Sequence, residues 1–202
     1  MNVAVLASGT GTNLQALIDQ VHGTEGIQIV AVASDKPGAP ALERARRAGV
    51  EVASFPGDAF GSREERDRAM ADWLLGRGVE LVVLAGYMQL LSDDFLARFR
   101  DRVINVHPAL LPAFPGLRPV EDALAYGVKV FGVTVHFVDG GVDSGPVILQ
   151  RAVELPDARD PASVLERLHP IEYELLPEAV RLIARGAVGF DAANRRRVVI
   201  ER

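Results

Sequence analysis

Short apolar runs separated by helical patterns fill the first half of the chain, and they restrict it to one fold class. Val3 to Ala7 and Ile27 to Ala33 are each apolar, end at small polar residues and lead into a stretch with helical spacing. The alternation continues through Val50 to Phe55, a helical segment from Ser62 to Arg77, Leu81 to Ala85, a helix from Ser92 to about Phe99, and Val103 to Val106. A strand covered on both faces reads as a continuous apolar run, and such strands joined by helices lie parallel. The predicted fold is an α/β, doubly wound, mostly parallel open sheet flanked by helices. After residue 107 the rhythm changes. A proline-rich loop from Pro108 to Pro119 leads to a short helix near Glu121 to Tyr126, and then to two long strand candidates, Val130 to Val138 and Pro146 to Leu155. The link between these two is a single glycine-rich loop, which predicts antiparallel C-terminal strands. A last helix runs from about Pro161 to Arg185.

Composition narrows the chemistry. A length of 202 residues without repeats or low-complexity stretches suits one domain spanning residues 1–202. The absence of cysteine excludes a disulfide framework, a thiolate metal site and a cysteine nucleophile. No apolar run reaches the roughly 18 to 20 residues that span a bilayer, and Met1-Asn2-Val3 opens a strand rather than a signal sequence, so a cytoplasmic protein with no membrane association is expected. A net charge of −5 argues against nucleic acid as a partner, and the groups Arg44, Arg46, Arg47 and Arg195, Arg196, Arg197 read as solvated surface.

In open sheets of this kind ligands bind beyond the carboxyl ends of the strands. Ser8-Gly9-Thr10-Gly11-Thr12-Asn13 follows the first strand and opens a helix whose apolar face is Leu14, Leu17, Ile18 and Val21. Its glycines allow a tight turn that presents N–H groups to an anion, with the helix N-terminus adding partial positive charge. A β-carbon at Gly11 is expected to collide with a phosphate held there. Gly9 and Gly11 meet two positions of the dinucleotide fingerprint, Leu14 stands at the third, and a turn without ligand is the bland alternative. Asn105 and His107, two apart on a strand, project to the same face before Pro108 ends the ladder. An amide donor beside an imidazole suits an amine attacking a carbonyl, which needs hydrogen bonds to a developing oxyanion and a group that moves a proton. Asp143, in a glycine-rich loop, is expected to hydrogen-bond His107 and favour its protonated form. On spacing alone, a structural histidine and a metal site of His107, His136 and Asp143 stay open, although no zinc-binding spacing supports the latter.

Taken together, these segments resemble the folate-dependent formyltransferase superfamily. The resemblance rests on Ser8 to Gln15, Leu84-Ala85-Gly86-Tyr87-Met88, Asn105-Val106-His107-Pro108-Ala109-Leu110-Leu111-Pro112, Phe114-Pro115-Gly116, His136-Phe137-Val138-Asp139 and Asp143 to Gln150, in that order along nearly the whole chain. Within it, the glycine loop and the bare length look like the phosphoribosylglycinamide formyltransferases, without the additional domains expected of methionyl-tRNA formyltransferase or formyltetrahydrofolate deformylase. The resemblance implies a nucleotide-binding half of about 1–100 and a folate-binding, catalytic half of about 101–202. It implies that Gly11, Thr12 and Asn13 hold the phosphate of glycinamide ribonucleotide, with Glu172 on its ribose and His169 near the phosphate. Asn105, His107 and Asp143 would be the catalytic group. Met88, Gln89, Leu90 and Leu91, with Asn105 and the segment Asp139, Gly140, Gly141, Val142 and Asp143, would take the folate, and Arg63 its glutamate tail. The chain departs from the family pattern at Gln89, Ala109, Arg118-Pro119 and His169.

The implied reaction is direct formyl transfer from 10-formyltetrahydrofolate, a co-substrate, to small-molecule glycinamide ribonucleotide, with no metal, no permanently bound cofactor and no acyl-enzyme, in a monomer or homodimer. Protonated His107 and Asn105 would stabilise the tetrahedral oxyanion. Hydrolysis of the same folate, a non-catalytic nucleotide-binding domain, and a dinucleotide oxidoreductase using Asp35 are the competing readings.

Overall fold

The computed structural model describes residues 1–201. The chain forms two compact units that divide between Ile104 and Asn105.

The first unit alternates strand and helix: β1 (Asn2–Leu6), α1 (Thr12–Gln20), β2 (Gln28–Ser34), α2 (Pro40–Arg47), β3 (Glu51–Ser54), a 3-10 turn at Gly57–Ala59, α3 (Arg63–Leu75), β4 (Leu81–Leu84) and α4 (Asp93–Arg98). Its four strands run parallel in the order β3-β2-β1-β4, with Val5 opposite both Val32 and Val83. Because β1 is interior to the sheet and covered on both faces, Val3 to Ala7 are all but inaccessible, which is why the run has no polar alternation. Helix α3 begins in a capping box: the Ser62 hydroxyl accepts from Glu65 N–H at 3.1 Å, and the Glu65 carboxylate reaches back to Gly61 N–H at 2.9 Å. Pro40 starts α2 at a position where its missing N–H costs nothing.

Strand β5 (Val103–His107) carries the chain from the first unit into the second. There follow α5 (Pro119–Tyr126), β6 (Val130–Phe137), β7 (Val147–Glu154), α6 (Pro161–Ala184), β8 (Val188–Phe190) and β9 (Val198–Ile200). The strand order is β5-β6-β7, with β6 and β7 antiparallel, and β8 and β9 form a separate antiparallel pair. Gly127, at φ 87°, ends α5 in the left-handed conformation, its N–H bonded to the Ala123 and Leu124 carbonyls. The proline-rich loop is fastened to β6 and β7. Thr134 donates its hydroxyl to Ala109 O at 2.6 Å and accepts from Leu111 N–H at 3.1 Å, while Gln150 donates to Leu111 O at 2.8 Å. Gly132 is required for this approach, because a β-carbon there would overlap the Leu110 side chain and the Arg151 carbonyl.

The pair β8 and β9 was not foreseen, since three-residue strands carry too little periodicity to register. The arginines between them are exposed, as expected, and two of them also make contacts: Arg195 lies 4.7 Å over the Phe190 ring and Arg196 donates to Ser144 O at 2.6 Å.

Candidate active site

A buried polar cluster of the second unit lies where β5 ends. Asn105 and His107 project from the same face of β5, and Asp143 comes from the loop after β6. His107 is 4% exposed. Its Nε2 lies 2.9 Å from the Phe114 carbonyl, and since a carbonyl only accepts, Nε2 carries the proton. That leaves Nδ1 facing Asp143 Oδ2 at 3.5 Å, an electrostatic contact longer than a direct hydrogen bond. The carboxylate is held independently by Gly116 N–H, which donates to Oδ2 at 2.8 Å. Phe114, at φ 54°, and Asp143, at φ 48°, both occupy the left-handed region that non-glycine residues avoid, so the two partners of His107 sit on strained backbone.

A second histidine completes the cluster. His136 donates from Nδ1 to the Phe137 carbonyl at 2.8 Å, and its Nε2 lies 3.2 Å from Asn105 Nδ2. The same Asn105 amide donates to Asp143 Oδ1 at 3.4 Å, and His136 Nε2 is 3.7 Å from that oxygen. Asn105 Nδ2 thus sits between His136 and Asp143. The pairing of β6 with β7 shifts register between Val135 and His136, at the edge of this cluster.

The protonation states differ from expectation in one respect. Burial pushes the His107 pKa down, and this outweighs the Phe114 carbonyl and the Asp143 carboxylate, which push it up; nearby His136 adds to the lowering. His107 is therefore neutral at neutral pH in the free protein, not protonated as its acidic neighbour suggested. Burial alone would raise the Asp143 carboxyl, but contact with His136, the Gly116 N–H bond and the charge of both imidazoles together hold it below the usual carboxylate range. Both ring nitrogens that face carbonyls are engaged, and among the described residues no group of three or more His, Asp or Glu is arranged to hold a metal ion.

The other expected residues fall as follows. In the first unit, Gly11 is the N-cap of α1 at φ 74°, no side chain caps the helix, Thr12 is exposed and Asn13 is half-buried. Glycine at 11 is also required by packing: a β-carbon would lie 2.7 Å from the Ala41 β-carbon and 2.8 Å from its α-carbon, so α2 demands the glycine whatever ligand the loop takes. Helix α2 also grips the loop through Ala41 N–H to Gly9 O at 3.2 Å and Arg44 Nε to Thr10 O at 2.8 Å, so Arg44 is not idle surface. Arg63 is exposed and pairs with Glu64 at 3.3 Å. Met88 and Leu90 are 55% and 59% exposed, Gln89 is exposed and Leu91 half-buried. In the second unit, Val142 is 51% exposed, while Asp139 closes its loop by accepting from Gly141 N–H at 3.1 Å and Ser144 Oγ at 2.5 Å. On α6, His169 is half-buried and stacked on Tyr173, and Glu172 is buried one turn along from it.

Residues 1–180 match the family model described as formyl transferase. The chain belongs to that family. It is 43% identical over 201 residues to the phosphoribosylglycinamide formyltransferase of Mycobacterium tuberculosis, covering 98% of this chain and 93% of that one. The glycinamide ribonucleotide transformylase 1 of Symbiobacterium toebii superposes with a TM-score of 0.95 at 45% identity, over 100% of this chain and 94% of the other. It is also 43% identical over 187 residues to the trifunctional purine biosynthetic protein adenosine-3 of Drosophila melanogaster, where 91% of this chain spans 14% of that much longer protein. The fold is thus the doubly wound, mostly parallel sheet of the formyltransferases, with antiparallel strands toward the C-terminus.

Sequence reasoning passed over two features of this family member. The spacing of His136 on its strand did not show that Asn105, 31 positions earlier, would lie against its ring. Arg66 and Asp67 lie in the charged run Arg63 to Arg68, which reads as a solvated helix start, yet they are 4% and 0% exposed. The helical spacing of Arg66 and Asp67 with Met70, Ala71 and Leu74 on one apolar face was the signal available.

Proposed function

We propose that the protein transfers the formyl group of 10-formyltetrahydrofolate to the amino group of glycinamide ribonucleotide, a step of purine synthesis. The observation that carries the chemistry is that Asp143 reaches both same-face residues of β5, with Oδ1 3.4 Å from Asn105 Nδ2 and Oδ2 3.5 Å from His107 Nδ1. The choice of acceptor is supported by relatives of nearly equal length named phosphoribosylglycinamide formyltransferase.

In this reading the substrate amine attacks the formyl carbon, a C–N bond forms, and the carbonyl electron pair moves onto oxygen. The Asn105 amide, held between Asp143 and His136, exchanges one of these contacts for a hydrogen bond to that oxyanion. His107 enters neutral and takes up the proton that the attacking nitrogen must lose, becoming an imidazolium beside Asp143. The proton then passes to N10 of the folate as the C–N10 bond breaks. Asp143 orients the ring and stabilises its charged form without itself being protonated. Gly11, Thr12 and Asn13 serve the substrate phosphate, with His169 near it and Glu172 on the ribose. Met88 to Leu91 and Asp139 to Asp143 serve the folate, and Arg63 its tail. No metal takes part, and the protein acts on small molecules in the cytoplasm.

The test is to incubate the protein with 10-formyltetrahydrofolate, with and without glycinamide ribonucleotide, and to identify the products. Formylglycinamide ribonucleotide formed in step with tetrahydrofolate supports the reading. Formate released at the same rate whether or not the acceptor is present would replace transfer by hydrolysis.

A further inference from the structure

The segment from Met88 to Ser92 presents two apolar side chains to solvent, Met88 and Leu90, at 55% and 59% exposure. Loops of that kind are ordinarily mobile, yet this one is tied to the interior at nearly every residue. Met88 N–H donates to Ser8 Oγ at 2.9 Å, and Gln89 donates to Asp35 Oδ2 at 3.0 Å. The remaining ties converge on two neighbours in α3. Arg66 donates through Nη1 to Gln89 Oε1 at 3.4 Å and through Nη2 to Leu90 O at 3.2 Å. Asp67 Oδ1 accepts from Arg66 Nε and Nη2 at 2.9 and 2.7 Å, and its Oδ2 accepts from Ser92 N–H at 2.6 Å. Ser92 in turn caps α4 by accepting from Phe95 N–H at 3.4 Å.

A buried ion pair is a poor means of stabilising a helix, since apolar residues of the same volume generally do as well or better. What this pair supplies that apolar residues could not is direction: a rigid guanidinium fork and a carboxylate that together hold the side chain of residue 89, the carbonyl of 90 and the N–H of 92. We propose that Arg66 and Asp67 are a positioning pair, setting the backbone of Met88–Ser92 so that Met88 and Leu90 meet the folate in a preformed arrangement. The inference rests on the proposal that this segment binds folate. With Arg66 4% and Asp67 0% exposed, the pair acts on folate recognition through the loop alone.

The test compares Arg66→Lys, Arg66→Met and Asp67→Asn with Leu90→Ala, by steady-state transfer with each substrate varied and by amide hydrogen exchange across residues 88–92. Losing a charged hydrogen bond to the loop should raise the folate KM on the order of tenfold in Arg66→Met. Lys keeps the charge beside Asp67 but not the fork, so Arg66→Lys should fall between wild type and Arg66→Met. In all three, kcat at saturating folate and the KM for glycinamide ribonucleotide should stay within about twofold of wild type, and exchange at Leu90 and Ser92 should quicken. If Arg66→Met does not fold, Arg66→Lys and Asp67→Asn carry the comparison. Unchanged folate KM and unchanged exchange in folded variants, or a fall in kcat with both KM values altered alike, would overturn the positioning role. If Leu90→Ala leaves the folate KM untouched, the folate reading of the segment fails and the proposal with it. If Leu90→Ala raises the folate KM and the Arg66 and Asp67 variants do not, only the positioning role is lost.

Discussion

Replacing Gly11 by alanine separates what the fold needs from what the ligand needs. Gly11 has φ 74°, and moving a residue with a β-carbon into the left-handed region costs about 1–2 kcal/mol. The new methyl would also sit 2.7 Å from the Ala41 β-carbon and 2.8 Å from its α-carbon, the latter being backbone of α2 that cannot rotate away. Overpacking of this kind costs typically about 1–3 kcal/mol, so Gly11→Ala should destabilise the ligand-free protein by about 2–5 kcal/mol. For a chain of this size each kcal/mol moves the melting temperature by about 2–4 °C, which makes the expected fall about 4–20 °C. Thermal and urea unfolding without ligand measure it directly. Ala41→Gly removes the nearer of the two overlaps at a helix cost of up to about 1 kcal/mol, so Gly11→Ala/Ala41→Gly should be more stable than the sum of the single losses implies. An unchanged unfolding midpoint in Gly11→Ala, combined with weakened binding of glycinamide ribonucleotide, would refute the packing argument and return the glycine to the ligand.

Four further outcomes are expected. Asn105→Ala should remain folded and lose transfer on the order of a hundred- to a thousandfold, as loss of one oxyanion donor does, read as kcat with both substrates saturating. His107→Ala/Asp143→Asn should lose less than the product of the single losses, because the two groups act on one proton; strictly multiplicative losses would break the unit apart. Arg63 is exposed and its pair with Glu64 is worth little, so Arg63→Ala should leave the unfolding midpoint in place and raise the folate KM without slowing single-turnover transfer at saturating folate. The fourth concerns acid. His107 has a folded pKa below its ordinary 6.5, so the unfolded chain binds the extra proton; this contribution to stability is complete above that value and is lost as pH falls through the lowered folded pKa. Asp143, lowered from 3.8, adds a second loss of the same sign further down. Urea midpoints measured across this range should decline in two stages, and the first should vanish in His107→Gln.

The parallel strands of the first unit were legible because burial on both faces leaves a continuous apolar run, as in Val3 to Ala7, and the long β6 and β7 because each is eight residues. The placing of Asn105 beside His107 was legible for an equally local reason, the two-residue period of a strand. What escaped depends on partners distant in sequence. The role of Gly11 is set by Ala41, and that of Arg66 by residues 89 and 90.

The charge on His107 shows the same limit most sharply, since two local facts pointed the wrong way. An aspartate in a flexible loop and a ring at a strand end suggested a carboxylate close enough to hold the imidazole protonated. The fold instead spends Asp143 Oδ2 on the Gly116 N–H at 2.8 Å and leaves it 3.5 Å from Nδ1, while enclosing the ring until only 4% of the residue is accessible. Desolvation then outweighs attraction. For a group that must accept a proton from an attacking amine and return it to a leaving nitrogen, this is the useful balance: a neutral ring at rest, with a carboxylate near enough to stabilise the charge once it arrives. Moving Asp143 closer would favour the imidazolium in the free enzyme and remove the base; moving it away would leave the charged intermediate uncompensated. The left-handed backbone at Asp143 and Phe114 is the conformational cost of holding both partners at those distances.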